Sequence, residues 1–201
     1  MHFDQDDTNS DALFASEESF SMLFPDSIMK HDKLHWSPLP VIQKATGFLA
    51  EENDVKILDI GCGVGKFCLA GAYEKPKSSF YGVEQRQYLI DIANSAKDKL
   101  GTIRVEFIHN NFTQVDIKGF DGFYFYNSFF ENLPIENPID DNVVLSPDLY
   151  YYYTNYLRDQ FERMPAGTRI ATYCSWDDEI PPDYQMVESH FNNLLKFWVK
   201  N

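Results

Sequence analysis

The chain has 201 residues, a formal net charge of -14, 44% hydrophobic residues and 16% aromatic residues. That balance belongs to a globular chain with enough length for one domain and a substantial core. The charge disfavours a large nucleic-acid footprint, which needs clustered Lys and Arg. No apolar run approaches the roughly 18 residues of a membrane span, and no basic, apolar leader opens the chain, so a cytoplasmic protein without a membrane partner is expected. Cys62, Cys68 and Cys174 lack metal-type spacing and read as free thiols.

Acids crowd the front: Asp4, Asp6, Asp7, Asp11, Glu17, Glu18 and Asp26 all precede the first base, Lys30. Residues 1–29 are therefore set apart as an acidic, flexible segment, with a helical turn or two around Asp11–Phe24. His31 and His35 flank Asp32 four apart, but Pro38 follows closely and no third ligand is near, so a surface or capping role is read and no metal is assigned.

From residue 30 on, strands and helices alternate. Val41, Ile42, Ala45, Phe48 and Leu49 recur at helical spacing between about 38 and 52. A strand follows near 55–60, a helix to about Tyr73, a strand near 79–84, and a helix over Gln87–Leu100 that Gly101 ends. Arg104–Ile108 and Gly122–Tyr126 read as further strands. Ser146 and Pro147 form a helix start, with Ser as N-cap and Pro at the first helical position, and that helix runs to about Arg163. Thr168–Tyr173 is a strand, and Tyr184–His190 with Leu194–Lys200 a closing hairpin. The stretch 131–145, with Pro134, Pro138 and the acids Glu136, Asp140 and Asp141, is longer than a typical connection, and such loops often serve as lids or recognition elements.

The most informative run is Val55-Lys56-Ile57-Leu58-Asp59-Ile60-Gly61-Cys62-Gly63-Val64-Gly65, an apolar strand entering a glycine turn at the head of a helix. Such a turn brings bare backbone close to a ligand. The next strand, Ser79-Phe80-Tyr81-Gly82-Val83, ends on Glu84, where a nucleoside-binding βαβ unit keeps the carboxylate that accepts from ribose hydroxyls. The dinucleotide fingerprint needs glycine where this chain has Lys66. Asp59 at the strand end suits a cofactor with a positive charge and an amino group rather than a pyrophosphate.

On these residues the chain resembles the class I S-adenosylmethionine-dependent methyltransferases, over roughly residues 30–201, which the resemblance makes the methyltransferase domain. It implies an α/β fold: a Rossmann-like, seven-stranded, mostly parallel sheet with helices on both faces and a C-terminal antiparallel hairpin. It also implies S-adenosylmethionine as cofactor. Gly61, Cys62, Gly63 and Gly65 then pass under the methionine part, with Asp59 beside them, and Glu84 holds the ribose.

Ligands in such sheets sit at the carboxyl ends of the central strands. After Glu84, Gln85 offers a flat amide to the adenine. After the third strand, Asn111 stands where the superfamily often has an acid, and its carbonyl can accept from the adenine amino group. Phe112 is placed to stack on the base or to join the core. Trp36, just before the first long helix, is a candidate cover for the cofactor or a residue packed on the sheet edge.

After the fourth strand comes Tyr126-Asn127-Ser128-Phe129. The block Asn-Ser-Phe resembles the Asn-Asn-Phe of the non-SET histone-lysine (disruptor of telomeric silencing) methyltransferases. That family also has counterparts of Gly63-Val64-Gly65 and Tyr81-Gly82-Val83-Glu84. Ser128 departs from its pattern, and no basic extension is present. The resemblance places Asn127 near the transferred methyl, as the catalytic candidate and a cofactor contact. The Asn-Pro-Pro-Tyr block of adenine and glutamine amide methylators is absent.

An aromatic channel would keep an amine acceptor neutral for attack. Trp36, Phe129, Phe130 and Tyr150–Tyr153 can supply walls, although the tyrosines also fit a helix face packed on the sheet. The expected activity is methyl transfer, with a protein lysine as first acceptor, a small metabolite second and RNA third. A non-catalytic cofactor-binding module is the alternative of another class, and a nicotinamide-dependent dehydrogenase a more distant one.

Overall fold

The computed structural model of the protein describes residues 7–30, 35–102, 104–134 and 138–201, with residues 7–10 described by backbone alone. Asp4, Asp6, His31, Asp32 and Glu136 lie outside the described residues.

Seven strands form one sheet: β1 (Lys56–Ile60), β2 (Ser79–Glu84), β3 (Val105–His109), β4 (Gly122–Phe125), β5 (Arg169–Tyr173), β6 (Tyr184–His190) and β7 (Leu195–Lys200), in spatial order β3-β2-β1-β4-β5-β7-β6. β1 to β5 pair in parallel, while β7 runs antiparallel between β5 and β6. The expected sheet is present, terminal hairpin included. Its turn holds Phe191, Asn192 and Asn193 all at positive φ, a conformation asparagine tolerates better than most residues.

The strand order reverses at β1, which has β2 on one side and β4 on the other. Parallel register sets Ile60 opposite both Val83 and Phe125, so the loops leaving all three strands emerge together. β1 is buried on both faces, as a central parallel strand must be, with Ile57 in one core and Leu58 and Ile60 in the other.

The first core joins α4 (Leu39–Leu49), α5 (Lys66–Glu74) and α6 (Gln87–Leu100) to the sheet. Phe67 of α5 stacks on Tyr124 of β4 at 4.0 Å, and Tyr124 shares a hydrogen bond of 2.6 Å with Ser37. The second core lies under α7 (Pro147–Glu162), which buries Leu157 and Phe161. Its start has the predicted cap, the Ser146 hydroxyl accepting from the Leu149 amide at 3.3 Å. Gly101 closes α6 in the left-handed conformation that its sequence position predicts.

The acidic N-terminal segment differs most from expectation. It forms α1 (Asp7–Phe14), α2 (Glu17–Ser21) and α3 (Asp26–Met29), and Phe14, Phe20, Leu23, Phe24 and Ile28 join the first core. The physical reason is that its acids alternate with large apolar side chains whose burial outweighs the charge. Phe14 stacks on Tyr73 of α5 at 4.1 Å. Glu17 ion-pairs with Lys66, and its other oxygen accepts from the Leu39 amide at 2.7 Å, at the N-terminus of α4.

Phe20 has no exposed surface. Phe20→Ala is therefore expected to lower the unfolding free energy by about 3–5 kcal/mol in denaturant titration. A segment that merely trailed from the domain would give a change of under about 0.5 kcal/mol.

Candidate active site at the carboxyl ends of the central strands

The turn after β1 is held by hydrogen bonds rather than by side-chain volume. The amides of Gly61 and Cys62 both donate to the Val83 carbonyl, at 2.9 and 3.0 Å. Gly61 and Gly63 have φ of +76° and +54°, and a Cβ at either would lie within 2.4 Å of a neighbouring side chain: the Ser128 hydroxyl at Gly61, the Trp36 ring at Gly63. Glycine is thus required by conformation and by close approach together. Gly65 caps the start of α5 in the left-handed region, against the Phe107 ring. Cys62 is buried with its sulfur against Gly82; burial pushes its thiol pKa up, as does the nearby Asp59.

Asp59 lies one layer beneath the turn, buried, with the Cys68 sulfur 4.0 Å away. Burial first, and Glu84 second, push its carboxyl well above the usual carboxylate range. It lines neither of the two recesses that open beside the turn.

Glu84, at the end of β2, does line the cleft. Its Oε2 accepts from the Gly63 amide at 3.3 Å, and its Oε1 accepts from the Arg86 amide at 2.9 Å and from Arg86 Nη1 at 3.4 Å. Burial raises its pKa, with Glu131 adding to the rise and Arg86 opposing it. Arg86 also donates through Nη2 to Glu131 at 2.7 Å and through Nε to Asp140 at 3.1 Å. Gln85 donates to the other oxygen of Glu131 at 3.1 Å. The long stretch after β4 is thereby fastened to the end of β2.

Two adjoining recesses open here. One, of about 230 Å³, is bounded by Trp36, Gly61, Gly63, Glu84, Asn127 and Glu131, with His35, Tyr126, Phe130 and Ile139 at its sides. The other is a narrower slot between Ile60, Val83, Gln85, Asn110, Phe112, Phe129 and Tyr153. They share Gly61, Glu84, Ser128 and Glu131, so they form one bent cleft with a polar arm and an apolar arm. Phe112 lines the apolar arm while stacking on Phe129 at 4.7 Å, so it serves the slot and the core at once. Trp36 covers the turn, donating through its ring nitrogen to the Ile28 carbonyl at 3.5 Å.

Asn111 faces the slot but is committed elsewhere. Its carbonyl accepts from the amide and the hydroxyl of Thr113, at 3.0 and 2.8 Å, and its amide donates to the Tyr153 hydroxyl at 2.9 Å. Both lone pairs expected for the adenine amino group are thus used to cap the turn Phe112–Gln114.

Asn127 adopts φ of +42°, and its amide donates to the Ser175 hydroxyl at 3.2 Å. Its side-chain Oδ1 is buried and has no hydrogen-bond partner among the described residues, and Asn127 forms part of a wall of the polar arm. An orphaned acceptor beside a cleft calls for a ligand donor. Ser128, the departure from Asn-Asn-Phe, donates at 2.6 Å to the Ile60 carbonyl and tucks against Gly61, locking the β4 loop to the β1 turn.

The sequence reading missed Arg86, Glu131 and Asn110, while Tyr153, one of its candidate aromatic walls, does line the slot. Arg86 stands two residues past Glu84, but its other carboxylate partners, Glu131 and Asp140, are distant in sequence, so no local signal marks it. Among the described residues no cluster of three His, Cys, Asp or Glu could hold a metal ion, and no helix is long and apolar enough to cross a membrane.

Comparison with known proteins agrees with this geometry. Residues 51–158 match the family model described as a methyltransferase domain. A tRNA (guanine-N(7)-)-methyltransferase of Synechococcus sp. (strain JA-3-3Ab) is 48% identical over 54 residues, 27% of this chain and 23% of that protein. Its counterpart in Synechocystis sp. (strain ATCC 27184) is 39% identical over 66 residues, 33% of this chain and 31% of that protein. The aligned part thus spans about a quarter to a third of these relatives. An RNA methyltransferase from Salinibacter ruber, solved with S-adenosyl-L-homocysteine, superposes with a TM-score of 0.58 at 20% identity, covering 82% of this chain and 92% of that one. An O-methyltransferase from Thermotoga maritima gives 0.57 at 19% identity, covering 87% and 70%. The matched family model spans more than half of the chain and the sheet has the expected order, so this chain belongs to the methyltransferase domain family, the class I S-adenosylmethionine-dependent methyltransferases.

Proposed function

We propose that the bent cleft binds S-adenosylmethionine and that the chain catalyses methyl transfer from it. The observation that carries this reading is the pairing of Glu84 at the end of β2 with the orphaned Asn127 Oδ1 at the end of β4, across the glycine turn of β1. The residues present fit the group. The apolar slot beside Gln85 and Phe112 suits a base, Glu84 Oε2 keeps one lone pair for a ribose hydroxyl, and the polar arm suits the amino acid part.

Bound cofactor supplies an already activated methyl, so the chain's own residues have to align an acceptor and exclude water. Trp36 and Phe130 wall the polar arm, and Asn127 lies beside the methyl, where its side chain orients the acceptor. Asn127 holds a positive φ, which asparagine tolerates.

For the acceptor we favour an amine, a protein lysine first and a small metabolite second. Trp36 and Phe130 wall the polar arm, and an aromatic wall that excludes water favours the neutral form of an amine, the form that attacks. A tRNA base is the second reading, favoured by the relatives that share 48% identity over 54 residues. That shared stretch is a fraction of the chain, and the acidity opposes a phosphate backbone. We also read residues 30–201 as the catalytic domain, with the N-terminal helices as its cover.

In calorimetric titration the protein is expected to bind S-adenosylmethionine and its demethylated product, and Glu84→Gln to weaken both by about tenfold or more. Absence of binding by the wild type would overturn the cofactor assignment. Asn127→Ala is expected to keep cofactor affinity within about threefold and to lose at least about tenfold in turnover, as for a transition-state contact. The acceptor is decided with methyl-labelled cofactor against lysine peptides, small amines and tRNA. Label in tRNA alone would replace the amine reading with the RNA one, and binding without transfer to any class would favour the non-catalytic module.

A further inference from the structure

Arg86 is 7% exposed, and three carboxylates converge on it from separate parts of the chain. Glu84 comes from β2 at 3.4 Å, Glu131 from the turn after β4 at 2.7 Å, and Asp140 from further along the same stretch at 3.1 Å. Each of its three nitrogens thus has a different partner. The Arg86 backbone amide adds a fourth contact, to Glu84 Oε1 at 2.9 Å. Lysine has no geometry to replace it, since one ammonium cannot present a planar fork to three acceptors.

Glu84 Oε1 has both lone pairs filled by Arg86, so its carboxylate cannot rotate about its last bond without breaking the clamp. Oε2 is left turned toward the Gly63 amide with one acceptor site open. Glu131 is held on both oxygens, by Gln85 and Arg86, and Asp140 is held by Arg86 and by the Tyr88 hydroxyl at 2.8 Å. Glu131 borders both arms of the cleft.

We propose that Arg86 is the positioning residue of the nucleoside site, fixing the ribose carboxylate of Glu84 and clamping Glu131 and Asp140 beside the cleft, so that cofactor affinity depends on a side chain outside the glycine motif. This rests on the reading of the cleft as the S-adenosylmethionine site. Arg86 itself borders the polar arm, but its three nitrogens are taken by the carboxylates, so it acts through Glu84 and the stretch after β4.

The electrostatics give the clamp a signature. Glu84 faces Asp59 from β1, Glu131 from the turn after β4 and the Gly63 amide, and Arg86 is its opposing cation. Arg86 itself faces Glu84, Glu131 and Asp140, with Tyr88 behind Asp140 and His109 nearby on the Gln85 carbonyl at 3.0 Å. Burial and Glu131 already raise the Glu84 pKa, so loss of the guanidinium raises it further. A carboxyl with a raised pKa is protonated as pH falls and then loses acceptor capacity. Cofactor affinity of a variant without the guanidinium should therefore improve as pH rises, more steeply than in the wild type.

The test is calorimetric titration of S-adenosyl-L-homocysteine into wild type, Arg86→Gln, Arg86→Lys, Glu131→Gln and Asp140→Asn between pH 6 and 8.5, with thermal melts as a folding control. Arg86→Gln should bind about tenfold to a hundredfold more weakly and show the steeper gain with pH, and Arg86→Lys should restore less than half of the loss. Glu131→Gln and Asp140→Asn should each weaken binding by about threefold to tenfold, with the double variant short of the product because one guanidinium serves both. Folded Arg86→Gln with affinity within about twofold of wild type at every pH would overturn the clamp and leave the cofactor reading intact. If Arg86→Gln fails to fold, the two carboxylate variants decide: no effect of either overturns the proposal. No binding by wild type would overturn the cofactor reading, and the clamp with it.

Discussion

Glu84 accepts hydrogen bonds from the backbone amides of Gly63 and Arg86, and so joins the turn after β1 to the entry of α6 through one carboxylate. Neither segment has a side-chain cap of its own: Gly65 and Arg86 make no capping hydrogen bond at the starts of α5 and α6. A carboxylate at the end of a parallel strand lies between these two helix entrances, where orphan amides and the positive ends of helix dipoles converge. The same acid therefore organises the backbone and presents an acceptor to the cleft. Burial raises its pKa while the amides and Arg86 pull it down, so its charge is a balance of opposed local effects.

That balance explains why the site occupies this place in the sheet. Parallel register brings Ile60, Val83 and Phe125 level, and each strand then contributes one loop: the glycines, Glu84 with Gln85, and Asn127 with Ser128. Ser128 ties the third loop to the first by donating to the Ile60 carbonyl, and Glu131 ties the third to the second. The cleft is the space these ties leave. Its shape follows from backbone hydrogen bonds to a few polar side chains, while Phe112, Phe129 and the cores beneath supply rigidity.

Local patterns in the sequence were enough to place the strands, the start of α7 at Ser146, the end of α6 at Gly101 and the closing hairpin, because period, caps and turns are short-range signals. Glu84 was legible for the same reason, being fixed by its distance from the glycine turn. Arg86 was not, since its partners Glu131 and Asp140 lie 45 and 54 residues away and only the folded sheet end unites them. Asn111 shows a local competition that the sequence also contains: its strand end points to the cofactor, and it does line the slot, but an asparagine two residues before Thr113 also caps its own turn. In the N-terminal segment the run of acids points to a free tail, whereas the burial of Phe14, Phe20 and Phe24 decides its path.

Lys66 unites these threads. It stands where a dinucleotide turn has glycine, yet it is 3% exposed, at the first position of α5. A cation there opposes the helix dipole, and burial adds to its cost. Glu17 supplies the opposite charge and the Phe20 ring lies 5.6 Å from the ammonium. The tight helix–sheet contact that a glycine at 66 would give comes instead from Gly71, where a Cβ would lie 2.5 Å from the Phe80 ring. With that contact supplied elsewhere, position 66 is released to carry a charge. The second oxygen of Glu17 holds the start of α4 through the Leu39 amide, so Trp36, three residues upstream, is drawn over Gly63. The acidic segment is therefore held to the turn by the very residue that separates this turn from the dinucleotide pattern.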